Sequence, residues 1–301
     1  MKWQFPAKTF LLGEYAALCG QSAVILTTGP CFVVEKIQQP VLEGIHPESP
    51  AGQYWLKTSR YQYGLRWHDP FQGMGGLGAS SAQFLGAWLA HHQSQAGDSI
   101  LESMLLDDYW TFAWNGQGKK PSGYDLRAQL ASGCVFINQH YQLTQSTDWN
   151  FKDLNFLLVH TGNKLATHTY LQKSDFSDEY LSDLSVYAEQ GFQAIKTSNS
   201  QALAEAINKA QQSLGNKGLV SEHSQVLIES LQKLSSIKAI KGCGAMGADV
   251  LALLISPENV GEVMIQLHSR HLKIIASDQN LYRKTPLFTK FTEKTLEILT
   301  E

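Results

Sequence analysis

A glycine-rich segment that runs directly into an apolar helical pattern constrains this chain most. The segment reads Gln72-Gly73-Met74-Gly75-Gly76-Leu77-Gly78-Ala79-Ser80-Ser81-Ala82. Ala82, Leu85, Trp88 and Leu89 then follow at the spacing of one helix face. Glycines let backbone N–H groups approach an anion, and a helix N-terminus adds unpaired N–H groups. The segment predicts a phosphate-binding loop, although Ser80 or Ser81 could simply cap the helix after a plain turn.

The composition indicates an ordinary soluble globular protein. The chain has 301 residues, of which 43% are hydrophobic and 17% are charged. This length is enough for two modest domains. The formal net charge of −3 provides no global field that would hold a polyanion, so we expect no nucleic-acid partner.

The cysteines and the hydropathy pattern point to the cytoplasm. Cys19, Cys31, Cys134 and Cys243 are widely spaced, without a Cys-x-x-Cys motif or paired histidines. That spacing fits neither a disulfide framework nor a zinc site. No apolar run approaches the ~18 residues of a membrane span, and the first residues lack the apolar core of a signal peptide. We therefore expect a cytoplasmic protein without a membrane partner.

Strand and helix patterns alternate in the first half of the chain. Residues 22–27 and 31–37 read as two strands, and Thr28-Gly29-Pro30 between them predicts the turn of a β-hairpin. Residues 53–67 predict a further strand. Residues 100–114 predict a helix, and residues 133–138 predict a return to strand.

The second half is predicted to be helix-rich and to contain fewer strands. Predicted strands cover residues 155–160, 237–241, 250–255 and 272–276, and predicted helices lie within 178–234 and over 258–271. The change of pattern near Asn150 predicts an N-terminal ATP-binding domain over residues 1–150 and a C-terminal domain over residues 151–301.

Several segments, in this order, resemble motifs of one enzyme family. Pro6-Ala7-Lys8-Thr9-Phe10-Leu11-Leu12-Gly13-Glu14-Tyr15 is similar to the opening Pro-Gly-Lys-x-x-Leu-x-Gly-Glu segment of the galactokinase, homoserine kinase, mevalonate kinase and phosphomevalonate kinase (GHMP) family. Residues 72–82 resemble the family's ATP-phosphate loop, with Ala79 as an additional residue before the serines. The common order of the motifs is stronger evidence than any single match.

Three further segments extend the resemblance towards the C-terminus. Pro121-Ser122-Gly123-Tyr124-Asp125 resembles the Ser-Gly-x-Asp catalytic stretch; without the family it would read as a turn and a helix cap. Residues 241–249 resemble the C-terminal glycine loop in a degraded form, with Cys243, Ala245 and Met246 at altered positions. Residues 160–167 are a weaker match to the stretch that opens the C-terminal domain.

The resemblance implies a fold and roles for individual residues. The implied fold is α+β, with an N-terminal ribosomal-S5-like β/α domain, a C-terminal ferredoxin-like domain and the active site in the cleft between them. Asp125 and Lys8 would be catalytic and close together, and Ser81 would bind Mg²⁺. Glu14, Ser122 and Gly123 would contact the substrate. The implied ATP-binding residues are Gly73, Gly75, Gly76, Leu77, Gly78, Ala79, Ser80, Ser81, Gly244 and Gly247.

The implied activity is ATP-dependent phosphorylation of a small metabolite by a monomer or homodimer. The acceptor would be phosphomevalonate, slightly ahead of mevalonate, with Lys8, Lys164, Arg127 and Lys241 as candidate cations for it. Homoserine or a sugar remains an alternative acceptor. A catalytically impaired binder of nucleotide or metabolite remains a second alternative, because the Mg²⁺-ligand Glu of mevalonate kinases has no counterpart near Trp114.

Overall fold

The computed structural model describes residues 1–59, 62–92, 102–162 and 177–283 and has an α+β architecture. The strands are β1 (Lys2–Leu12), β2 (Ala23–Ile37), β3 (Leu42–Glu43), β4 (Gly64–His68), β5 (Cys134–Asn138), β6 (Leu143–Thr147), β7 (Asn155–His160), β8 (Ile237–Cys243), β9 (Val250–Ile255) and β10 (Lys273–Ser277). The α-helices are α1 (Pro50–Thr58), α2 (Ala79–His92), α3 (Glu102–Ala113), α4 (Tyr124–Leu130), α5 (Asp178–Lys196), α6 (Ser200–Asn216), α7 (Glu222–Leu231) and α8 (Val260–Ser269). The predicted α+β class is confirmed.

The first sheet is organised around the long antiparallel pair of β1 and β2. Its order is β3-β4-β2-β5-β6, and β1 also pairs with β2. β3 and β4 are parallel, while the other pairings of this sheet are antiparallel. The end of β1 is buried on both faces, with Phe10 and Leu11 in different hydrophobic clusters. This explains its unbroken run of apolar residues, because a strand covered on both sides needs no polar alternation.

The predicted hairpin at Thr28-Gly29-Pro30 is wrong. Both predicted strands belong to the single strand β2, and its antiparallel partner is β1 rather than its own second half. Phe5 lies opposite Phe32 and Ala7 lies opposite Thr28, so residues 29–31 face Pro6 alone. Proline has no N–H group to donate to a ladder, and a bulge accommodates the mismatch. The turn signal therefore marks a bulge within one strand.

The predicted strand over residues 53–67 is wrong in its first half. Residues 50–58 form α1, and only Gly64–His68 forms a strand. The side chain of Ser49 accepts a hydrogen bond from the Gly52 N–H, and Pro50 occupies the first turn. Ala51, Tyr54 and Trp55 are buried at the i, i+3 and i+4 spacing of a helix face. The aromatic residues that suggested a strand therefore line one side of a helix.

The second sheet agrees with the predicted pattern of the C-terminal half. Its order is β10-β7-β9-β8 and all its pairings are antiparallel. Helices α5, α6 and α7 connect β7 to β8, and α8 connects β9 to β10. This succession is the β-α-β-β-α-β arrangement of ferredoxin-like domains, with additional helices in the first connection. The predicted strands and helices of this half are therefore confirmed, with boundary shifts of a few residues.

The two sheets share one large hydrophobic cluster. It contains Leu12 of β1 and Phe136 of β5 together with Phe156 of β7 and Val250 of β9. Phe136 stacks on Phe192 of α5 with ring centroids 4.7 Å apart. The strands of the first sheet end at Thr147 and those of the second begin at Asn155, but the division into domains at residue 150 stays a prediction. In the described part of the chain, no helix combines the length and hydropathy that crossing a membrane requires.

The close packing of α2 on β2 leads to a stability prediction. A Cβ atom at Gly86 of α2 would overlap the side chain of Val34 in β2. Gly86→Ala is therefore expected to lower the free energy of unfolding by about 1–3 kcal/mol, although alanine is the better helix former. Urea unfolding followed by circular dichroism measures the change.

A matched control uses a helical glycine with open space around it. Gly215 of α6 has no heavy atom within 4 Å of the position of its missing Cβ, apart from its chain neighbours and the backbone of its own helix. Gly215→Ala is expected to leave stability unchanged or raise it by up to about 1 kcal/mol. Equal effects of the two substitutions would contradict the packing explanation.

Candidate active site

The glycine-rich loop opens α2, as the sequence pattern predicts. Gly73, Gly76 and Gly78 have positive φ angles of 83°, 77° and 86°. Residues with side chains rarely adopt this backbone region, so the loop path requires glycine there. The carboxylate of Asp69 accepts hydrogen bonds from the N–H groups of Phe71 and Gly73, at 2.8 and 2.7 Å. Asp69 thus holds the start of the loop, a role that the motif comparison did not indicate.

Lys8 and Asp125 form an ion pair beside the end of this loop. Lys8 Nζ lies 3.0 Å from Asp125 Oδ1, with Lys8 largely buried and the Asp125 side chain 35% exposed. The backbone N–H of Lys8 donates to the Leu77 carbonyl at 3.0 Å. A Cβ atom at Gly78 would lie 2.7 Å from Lys8 Cγ. The two predicted catalytic side chains are therefore adjacent and next to the loop, while their role in catalysis stays a prediction.

Asp125 owes its position to the turn that begins α4. Gly123 precedes the helix with a φ of 75°, and a Cβ atom there would lie 2.6 Å from Leu106 Cδ2. The Ser122 hydroxyl accepts a hydrogen bond from the Tyr124 N–H at 3.3 Å. Asp125 then lies in the first turn of α4. Ser122 and Gly123 thus shape the turn, and their predicted contacts with a substrate stay predictions.

Tyr109 of α3 is a neighbour of Asp125 that no sequence motif indicated. Burial raises the pKa of Tyr109, and the negative charge of Asp125 raises it further. Its ring meets the ring of Phe84 of α2 edge to face, with centroids 5.1 Å apart. A neutral phenol close to the carboxylate follows from this environment. A single tyrosine within a helix forms no sequence motif, so its position near Asp125 could not be predicted from the sequence.

Ser81 is buried and hydrogen-bonded within the protein. The single hydrogen of its hydroxyl has two acceptors within reach, Gln129 Oε1 at 2.6 Å and the Gly78 carbonyl at 2.9 Å. Ser81 is 3% exposed, whereas Ser80 is exposed. Among the described residues, no group of three or more His, Cys, Asp and Glu side chains could hold a metal ion. The predicted role of Ser81 as a Mg²⁺ ligand stays a prediction.

Glu14 forms a buried ion pair with Lys241 of β8. Lys241 is fully buried and the Glu14 side chain is 7% exposed. Lys241 Nζ also donates to the Gly242 carbonyl at 2.8 Å. Burial by itself would lower the pKa of Lys241, but the charge and hydrogen bond of Glu14 outweigh it and raise that pKa. Glu14 therefore has a protein partner in this structure, and its predicted contact with a substrate stays a prediction.

The C-terminal glycine loop follows β8 and lies against the first loop. Gly244 and Gly247 have positive φ angles of 85° and 56°. Asp249, which is 4% exposed, lies between the two loops. Its carboxylate comes within 3.2 Å of where a Cβ on Gly76 would lie and within 3.1 Å of the same position on Gly244. The two loops that the sequence placed at the phosphates are therefore brought together around one carboxylate.

The predicted cations for an anionic acceptor are mostly engaged elsewhere. The Arg127 guanidinium is 15% exposed and forms an ion pair with Glu102. Lys241 is neutralised by Glu14. Lys164 and the rest of residues 163–167 of the fifth motif lie outside the described residues. Among the described candidates, Lys8 is therefore the cation that adjoins the glycine loop.

The chain resembles known proteins in structure but not detectably in sequence. No profile of a known protein family matches the chain, and no curated protein matches its sequence. Many solved structures match its fold.

Three solved structures illustrate the similarity. Streptococcus pneumoniae phosphomevalonate kinase, in complex with phosphomevalonate and AMPPNP, superposes with a TM-score of 0.73 at 15% identity and covers 92% of this chain and 99% of its own. Methanococcus jannaschii mevalonate kinase superposes with a TM-score of 0.71 at 15% identity and covers 94% of this chain and 98% of its own. Lactococcus lactis galactokinase in complex with galactose superposes with a TM-score of 0.65 at 12% identity and covers 91% of this chain and 92% of its own. The chain therefore has the fold of the galactokinase, homoserine kinase, mevalonate kinase and phosphomevalonate kinase family, which the motifs along its sequence predicted.

Proposed function

We propose that the chain is an ATP-dependent phosphotransferase that phosphorylates a small metabolite. The observation that carries this proposal is the Lys8–Asp125 ion pair, 3.0 Å long, beside the last glycine of a loop that opens a helix. Backbone N–H groups of such a loop and the helix N-terminus suit the phosphates of ATP. A carboxylate and an ammonium at the end of the loop suit the transfer step.

In the proposed reaction the acceptor oxygen attacks the γ-phosphorus of ATP while the bond from that phosphorus to the ADP oxygen breaks. Asp125 accepts the proton that the acceptor loses. The Lys8 ammonium stabilises the negative charge on the transferring phosphoryl group.

The surroundings of the pair favour an alcohol acceptor. A phosphate acceptor is already ionised and needs cations more than it needs a base. Arg127 and Lys241, two of the cations considered for that role, are paired with Glu102 and Glu14. An alcohol needs a base, and the Asp125 side chain is 35% exposed beside Lys8. We therefore propose mevalonate or another small alcohol ahead of phosphomevalonate as the acceptor.

This assignment predicts a large effect of removing the proposed base. Asp125→Asn is expected to lower kcat with an alcohol acceptor by about 10²- to 10⁴-fold, the usual contribution of a general base. An ADP-release assay with mevalonate, phosphomevalonate, homoserine and hexoses as acceptors measures the effect and identifies the acceptor. A loss of less than threefold with the accepted substrate would remove Asp125 from the proton transfer.

The matched control is Asp107→Asn on α3. Asp107 is exposed, so the substitution makes the same chemical change away from the ion pair. Its kcat is expected to stay within twofold of the unmodified protein. If both variants lose activity equally, the effect of Asp125→Asn reflects a change in net charge rather than loss of a base.

One observation favours the alternative of an impaired nucleotide binder. The buried carboxylate of Asp249 lies close to both glycine loops, where phosphate oxygens would approach. If ionised, a carboxylate there would repel phosphates. A protein limited by this repulsion would bind nucleotide weakly and turn it over slowly.

Asp249→Asn separates the two functions, because asparagine keeps the shape of the side chain and removes its charge. For the proposed active kinase, AMPPNP affinity measured by calorimetry is expected to change less than threefold. Tightening by about tenfold or more, equivalent to about 1.4 kcal/mol, would instead support the impaired binder. Asp107→Asn again serves as the control for a change of net charge.

A further inference from the structure

Gln129 of α4 is a fully buried polar side chain at the centre of the candidate site. Its Nε2 donates to the Pro6 carbonyl at 2.9 Å and to the Gly78 carbonyl at 3.1 Å. Its Oε1 accepts a hydrogen bond from the Ser81 hydroxyl at 2.6 Å. Gln129 follows Asp125 by four residues and so lies on the same side of α4, one turn further on.

The contacts determine the orientation of the amide. Pro6 and Gly78 present carbonyl oxygens, which only accept hydrogen bonds, so the NH₂ group must face them. The Oε1 atom is then left to accept from Ser81, whose hydroxyl can donate. A glutamate at this position would have the same size, but an ionised carboxylate could not donate to either carbonyl.

Each partner of Gln129 belongs to a different part of the proposed phosphotransfer site. Pro6 lies two residues before Lys8 on β1, Gly78 ends the glycine loop and Ser81 lies in the first turn of α2. Asp125 and Gln129 share α4, so the helix that carries the acid is tied to the loop and to the strand that carries the lysine. A Cβ atom at Gly78 would lie 3.0 Å from Gln129 Nε2 and 2.7 Å from Lys8 Cγ, which shows how closely these parts approach.

We propose that Gln129 is a positioning residue for phosphoryl transfer. Its three hydrogen bonds hold the end of the glycine loop and the Lys8 strand at a set distance from Asp125. This inference rests on the proposed function, because it concerns the geometry of the same site. Displacement by about 1 Å of a group that positions the reactants can cost about 10²-fold in rate, so a residue that touches no substrate can have a large effect.

The test compares Gln129→Glu and Gln129→Leu with a variant that lowers stability elsewhere. Leu267→Ala in α8 is the control, because Leu267 is fully buried in a hydrophobic cluster that has no buried member from β1, α2 or α4. Thermal melting and circular dichroism establish the folded fraction, and kcat, KM and AMPPNP affinity are measured on folded protein. If Gln129→Leu does not fold, the isosteric Gln129→Glu decides.

We expect each Gln129 variant to lower kcat by about 10- to 100-fold. Leu267→Ala should lower the melting temperature and leave kcat within twofold. Because Gln129 is proposed to act through Asp125 and Lys8, its substitution should cost less than threefold when made in Asp125→Asn protein. A purely structural role would give the same cost in both backgrounds.

The outcomes separate this inference from the proposed function. An active unmodified protein together with kcat within twofold for Gln129→Glu would overturn the positioning role alone, as would equal costs in the two Asp125 backgrounds. If the unmodified protein binds AMPPNP but phosphorylates no acceptor, the proposed function fails. The AMPPNP affinity of the Gln129 variants then tests whether Gln129 positions the glycine loop. A tenfold loss of affinity in the Gln129 variants would then uphold its role in placing the loop, and an unchanged affinity would overturn it. A protein that neither binds AMPPNP nor turns over ATP would overturn both proposals.

Discussion

The relative placement of the two glycine loops depends on the buried ion pair of Glu14 and Lys241. Burying either charged side chain without the other would cost roughly several kcal/mol of desolvation free energy. The two side chains are therefore buried only as a pair. Glu14 follows β1 of the first sheet and Lys241 belongs to β8 of the second, so the pair joins the sheets directly. Tyr15, the next residue, accepts a hydrogen bond from the Met246 N–H at 2.8 Å within the C-terminal loop. Two adjacent residues of one motif thus hold the other loop in place.

Strand β1 gathers the other parts of the site. It presents the Pro6 carbonyl to Gln129, the Lys8 N–H to Leu77 and the Lys8 ammonium to Asp125. Its partner β2 forms a bulge opposite Pro6, and so adapts to a residue that cannot donate a backbone hydrogen bond. The pairing of β1 with β2 therefore supports the site as well as the fold, because a shift in its register would move the Pro6 carbonyl and the Lys8 ammonium together.

The two loops meet at a point where small size and unusual backbone geometry are both required. Gly76 and Gly78 combine positive φ with close neighbours, Asp249 on one side and Lys8 on the other. Met246 adopts a φ of 56° without being glycine, at a position where the family motif differs. The hydrogen bond from its N–H to Tyr15 helps to hold that conformation. An altered loop sequence thus keeps a defined path through tertiary contacts.

Local patterns were enough to determine much of this protein. The glycine loop opening α2, the strands of the second sheet and the helices between them follow from periodicity and turn residues that act over a few positions. The order of the motifs predicted the fold and the meeting of Lys8 with Asp125. The bulge in β2 could not be predicted from local patterns, because it depends on the pairing of β2 with β1. The helix at residues 50–58 could not be predicted either, because it depends on which aromatic side chains face the core. Tertiary structure alone decided that Lys241 pairs with Glu14, Arg127 with Glu102 and Ser81 with Gln129. The sequence determines which side chains carry a charge or a hydroxyl group. The residue with which such a side chain pairs depends on which distant segments of the chain pack against it.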